Sequence, residues 1–137
     1  MEILPVLISK DKNQDRIRRQ GMNAKFFLPW PDKTLSPNAR PHWAKLSKAK
    51  KKAKRDAYYL ALEAGLGKIE ADSMALRLTF YPPSRRRYDS DNLLASHKAA
   101  IDGISEAVGV DDSRFKITFA MAGAIEKNGM VKVEIDW

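Results

Sequence analysis

The chain has 137 residues, 44% of them hydrophobic and 31% charged, with a formal charge of +8 at neutral pH. That length and composition describe one compact globular domain and exclude a large multidomain enzyme. No apolar run approaches the ~20 residues of a membrane helix. The opening Met1–Ile8 is short and carries Glu2 where a signal peptide needs positive charge. Without cysteine there is no disulfide, thiol nucleophile or zinc–cysteine site. A soluble, cytoplasmic protein is expected.

In chain order, residues 1–22 show no sustained period and become basic at Arg16, Arg18 and Arg19. They are expected to form an N-terminal arm, with the folded domain over 23–137 and Met22 a candidate start. Phe26–Pro31 reads as a short strand that its prolines confine to an edge or a strand end. A loop rich in Pro, Ser and Asn follows over 32–41.

A helix is predicted from about Trp43 to Ala64. Leu46, Ala49, Ala53, Ala57, Leu60 and Ala64 recur at three- and four-residue steps. Lys48, Lys51, Lys52 and Arg55 take the opposite face, and Gly65 and Gly67 end the element. Met74–Tyr81 alternates as a strand and stops at Pro82-Pro83. A second helix is predicted over Ser90–Val108, ending at Gly109. Two alternating segments, Phe115–Met121 and Val131–Trp137, flank Asn128-Gly129, a hairpin signal. The order β-α-β-α-β-β gives an α+β (mixed α/β) domain with a small mixed sheet and two main helices.

Charge is uneven along this order. Nine of the 25 basic residues lie between Lys33 and Arg55 with no acid among them, which accounts for the whole positive excess. A second cluster, Arg85-Arg86-Arg87, stands directly before an acidic motif. Concentrated positive charge attracts polyanions, and phosphate contacts dominate sequence-independent nucleic-acid affinity. A solvated lysine face explains the first cluster equally well.

The acidic motif runs Asp89-Ser90-Asp91-Asn92, then Lys98, Asp102 and Asp111-Asp112. On one continuous helix, Lys98 and Asp102 fall within about 20° of Asp91, beside an apolar stripe of Leu94, His97, Ile101, Ile104 and Val108. Each acid alone has an ordinary use: Asp89, Ser90 or Asp91 can cap the helix, and Lys98 with Asp102 can form an i,i+4 pair. Capping needs one acid and leaves the remainder unexplained. Carboxylates suit Mg²⁺, a hard ion that keeps positions open for water and phosphate. A nearby lysine can neutralise a phosphate oxygen, and arginines can hold flanking phosphates. The combination describes phosphodiester hydrolysis without a protein nucleophile.

Rival sites fit less well. An EF-hand counted from Asp89 would place Leu93 and Leu94 where it needs an oxygen ligand and a glycine. His42 and His97 are too few and too separated for zinc, and His97 is expected to pack inside.

These residues resemble the RusA family of Holliday-junction resolvases. The similarity spans roughly residues 24–137 and rests on the Leu28–Pro31 strand, Arg85–Arg87, Asp89-x-Asp91-Asn92, Lys98-x-x-x-Asp102-Gly103 and Asp111-Asp112. It implies a homodimeric, Mg²⁺-dependent endonuclease, with Mn²⁺ an alternative ion, that places paired nicks in four-way DNA junctions. By the same resemblance Asp89, Asp91 and Asp112 are the essential acids and metal ligands, and Lys98 the essential lysine. The lysine of familiar members follows the second acid by about one helical turn, whereas Lys98 follows Asp91 by two. Arg85, Arg86, Arg87, Lys48, Lys51, Lys52 and Arg55 are the expected DNA contacts. Trp30, Trp43, Tyr58 and Tyr59 are candidates to stack on opened bases, with core packing preferred for Trp43. Two alternatives remain: a basic DNA-binding module without catalysis, and a nuclease for other branched DNA.

One geometric problem stands out. A continuous helix from Ser90 to Val108 would be roughly 28 Å long at ~1.5 Å per residue. Asp112 then lies far from Asp89 unless the helix is interrupted, the chain folds back, or a two-fold partner supplies one end.

Overall fold

A computed structural model describes residues 22–137. The arm expected over 1–22 therefore lies, apart from Met22, outside the described residues. Four strands form one mixed sheet: β1 (Asn23–Pro29), β2 (Met74–Tyr81), β3 (Phe115–Met121) and β4 (Met130–Asp136). Among the described residues, three α-helices accompany them: α1 (Trp43–Glu63), α2 (Ser90–Ser96) and α3 (Lys98–Val108). Short 3₁₀ turns occupy Lys33–Leu35 and Asp112–Arg114.

The sheet order is β1-β4-β2-β3. β4 runs antiparallel to both β1 and β2, while β3 lies parallel to β2. β1 is an edge strand closed by Pro29, as its prolines require. The expected β3–β4 hairpin does not form. Asn128 and Gly129 adopt left-handed φ values of 66° and 71°, so the tight turn is present. The chain leaving it nevertheless inserts β4 between β1 and β2. β4 carries buried Val131, Val133 and Ile135, which a central position covers better than an edge. Gly129 also packs where a Cβ would come within 2.8 Å of the Trp30 ring.

Alternate residues of the strands point to one covered face. Phe26, Leu28, Met74, Leu76, Leu78, Phe80, Val131, Val133 and Ile135 are buried there with Ala57 and Ala61 of α1 and Ile101, Ile104, Ala107 and Val108 of α3. The small residues let the helices approach closely: a Cβ on Gly103 would sit 2.2 Å from the Lys54 carbonyl oxygen. α1 runs to Glu63, and its capping residue Ala64 is followed by Gly65 at φ 94°. Trp43, preferred for the core, is instead 76% exposed. It starts α1, whose two fully buried residues, Ala57 and Ala61, sit about four and five turns further along; among the described residues the first turn is exposed apart from the partly covered Leu46.

The predicted helix over Ser90–Val108 is two helices divided at His97. The cause is local. His97 Nδ1 bonds the Leu93 carbonyl at 2.7 Å, taking the acceptor its own amide would use in a continuous helix. The His97 amide shortens its reach to Leu94 O, and Ser96 Oγ takes Asn92 O at 2.8 Å. The ring, 2% exposed, packs 5.2 Å from Phe80. His97 is thus buried, as expected, and it also bends the chain.

Candidate functional site

Asp89 is the cap of α2. Its Oδ1 accepts from the Asp91 amide at 2.9 Å and the Asn92 amide at 3.1 Å, satisfying donors that a helix start leaves free. Asp91 follows in the first turn with its side chain exposed. The shared face predicted for Asp91, Lys98 and Asp102 assumed one uninterrupted helix, whereas Asp91 stands on α2 and the other two on α3, across the division at His97. Lys98 and Asp102 remain together on α3.

α3 ends at Gly109, whose φ of 73° turns the backbone sharply. Ser105 Oγ donates to Val110 O at 2.7 Å and fastens the returning segment against the helix. The fold-back brings Asp112 to the N-terminal half of α3. Lys98 Nζ bonds Asp102 Oδ1 at 2.7 Å and Asp112 Oδ2 at 2.5 Å, so two carboxylates from separate elements converge on one positive charge. The Lys98 ammonium is held well above its usual range, mainly by Asp102 and then by Asp112. Asp112 is held below the usual carboxylate value chiefly by its hydrogen bond from Lys98. Asp111 points elsewhere: it accepts from the amide and hydroxyl of Ser113 and is also lowered by those bonds.

The arrangement answers the geometric problem in part. The helix is interrupted and the chain does fold back, which unites Lys98 and Asp112. Among the described residues, no three carboxylate or imidazole side chains meet at one point as a metal cage. The donor chemistry still suits Mg²⁺, which commonly takes one or two carboxylates and fills its other positions with water and phosphate. Asp102, expected from its i+4 spacing to pair with Lys98, does so, although it was not among the residues expected to be catalytic or to hold metal.

Beside this cluster lies a groove of about 380 Å³, lined by Thr34, Leu35, Lys50, Lys98 and Asp102 among others. Lys50 was not among the expected DNA contacts; only the return of the 32–41 loop beside α1 shows that it lines this groove. Arg85, Arg86 and Arg87 are exposed, and Arg86 stacks 4.7 Å over the Tyr88 ring. On α1, Lys48, Lys51, Lys52 and Arg55 form the exposed stripe predicted for them. Lys52 and Arg55 share Asp56, at 2.7 and 3.5 Å, whereas Lys48 and Lys51 have no carboxylate partner among the described residues.

The chain matches no model of a known protein family. It is 41% identical, over 111 residues, to a protein of Xylella fastidiosa (strain Temecula1 / ATCC 700964) whose name is "Uncharacterized protein"; the match covers 79% of this chain and 72% of the relative. This chain belongs to that protein's family. The Xylella relative brings no activity with it, so chemistry rests on the residues above. Among the described residues of this family member, no helix is long and apolar enough to cross a membrane.

Proposed function

We propose that this chain is a Mg²⁺-dependent, structure-selective endodeoxyribonuclease that resolves four-way DNA junctions by paired nicks, as its resemblance to the RusA family implies. The observation that carries the reading is the convergence of Asp102 and Asp112 on Lys98, beside a groove bordered by Lys50 on a strongly basic molecule. Asp89, Asp91 and Asp112 would hold the ion, with Asp102 adjoining. When bound, Mg²⁺ activates water and offsets charge on the phosphodiester. Lys98 can leave one of its two carboxylates to neutralise a phosphate oxygen. Arg85–Arg87, Lys48 and Lys51 hold flanking phosphates and orient the strand.

A homodimer suits two cuts related by near two-fold symmetry. It also allows a partner to complete a site whose three proposed ligands do not meet within one chain. Mixing Asp91→Asn and Asp112→Asn proteins, each inactive alone, restores low activity if the site is shared. Confirmed heterodimers without activity would exclude sharing.

A second reading is a basic DNA-binding module without catalysis. It draws support from Asp89 serving as a helix cap and Lys98 neutralising Asp102 and Asp112. The deciding experiment is cleavage of a labelled four-way junction in Mg²⁺, with linear duplex as control. The enzyme cuts the junction, and Asp91→Asn abolishes cutting while binding persists. Binding without any cutting establishes the module instead. Flaps and other branched substrates run alongside identify a nuclease of different preference.

A further inference from the structure

A separate cavity of about 230 Å³ opens between the end of β1, the middle of α1 and the α2–α3 break. Its walls include Leu28, Trp30, Ala53, Ala57 and Ala100, with Lys52 and Asp56 also contributing. Alanines at 53 and 57 of α1 leave the space that larger side chains would fill. Trp30 is fixed as one wall, edge-to-face with Phe80 at 6.4 Å and Tyr88 at 5.4 Å. The volume falls below the ~300–1,000 Å³ typical of cavities for drug-sized ligands and suits a single ring system.

His97 also lines this cavity. Its Nδ1 faces a carbonyl, which only accepts, so Nδ1 carries the hydrogen and Nε2 keeps a lone pair. Nε2 is buried and has no hydrogen-bond partner among the described residues, a condition that costs stability and that native structures rarely leave unexplained.

We infer that this cavity receives an unstacked nucleobase of the bound DNA, whose N–H donates to His97 Nε2 beside the Trp30 wall. The inference rests on the DNA-binding reading, with either nicking or binding as its outcome. Every nucleobase except in rare tautomers offers an N–H edge, and Asp56 adds a second acceptor toward the rim. Lys52, paired with Asp56 at 2.7 Å and largely exposed, is placed for the adjoining phosphate. A base already loosened at a branch point is the least costly to extrude.

The test is an NMR titration of the full chain with cytidine and with adenosine, without divalent ions. Binding shifts the Ala53 and Ala100 amides and the Trp30 indole. Ala53→Leu, which fills the cavity with a good helix former, abolishes those shifts while a dispersed spectrum confirms folding. His97→Phe keeps a ring against Phe80, removes the orphaned nitrogen together with the bond to the Leu93 carbonyl, and weakens nucleoside binding at least tenfold while a dispersed spectrum confirms folding. Shifts confined to the Lys48–Lys51 face, or unchanged in Ala53→Leu, overturn the assignment. Junction cleavage without nucleoside shifts removes base capture and leaves the nuclease. Nucleoside shifts without cleavage remove the nuclease and leave base capture by a DNA-binding protein.

Discussion

Lys98 and Asp112 are fourteen residues apart in the chain and 2.5 Å apart in space. Gly109 makes the meeting possible by turning the backbone back along α3. Both side chains stay accessible, so the contact adds little to stability. Its consequence is electrostatic: a lysine locked in its charged form and a carboxylate that is hard to protonate.

Asp112 should therefore titrate below its ordinary value of 3.8. A depressed carboxylate contributes above the unfolded value and loses that contribution as pH falls through the folded one. The Lys98–Asp112 contact is accordingly intact at neutral pH and released only in acid. NMR titration of the Asp112 carboxyl carbon checks this, and Lys98→Met should move the midpoint back toward 3.8.

Burial pushes the His97 imidazole below its usual 6.5, outweighing the opposing effect of the Leu93 carbonyl. The unfolded chain then binds a proton that the folded chain resists, so stability declines as pH drops below 6.5. The slope from this one group reaches at most about 1.4 kcal/mol per pH unit. Thermal melts between pH 7 and 5 should show a falling Tm, and His97→Phe should flatten that dependence.

Gly103→Ala should destabilise by about 1–3 kcal/mol, the usual range for overpacking. Helix propensity alone predicts the opposite sign, since alanine is favoured over glycine by roughly 1 kcal/mol. The added Cβ would lie 2.2 Å from a backbone carbonyl of α1, which cannot swing aside as a side chain would. Urea denaturation distinguishes the two signs directly.

Replacing both Lys48 and Lys51 with Gln should weaken binding to all DNA sequences alike. If each contacts one phosphate, the slope of log K against log salt falls by about 0.9 per lysine on duplex arms. Lys52→Gln should change it less, because Lys52 already shares Asp56 in the free protein. Fluorescence anisotropy over a salt series measures all three.

Much was legible from local pattern. Period-two alternation placed Met74–Tyr81 and Phe115–Met121 at their observed bounds, and three- and four-residue apolar spacing located α1. These signals survive because each depends on neighbours a few residues away. The division at His97 was not legible, since helical periodicity runs through it unbroken. A buried imidazole had to capture the Leu93 carbonyl, and its burial depends on Phe80 of a different element. The candidate site was half legible for the same reason: Lys98 and Asp102 are an i,i+4 pair, while Asp112 joins them only through the fold-back.

By itself the sequence determined the α+β class, the segments of α1, β2 and β3, the basic face of α1 and the acids available for chemistry. Only the tertiary structure decided that β4 lies between β1 and β2, that Trp43 faces solvent, and that Asp102 and Asp112 close around Lys98. Local propensity depends on residues adjacent in the chain. Strand order and side-chain convergence depend on burying the apolar faces of distant segments together, and no run of neighbouring residues records that requirement.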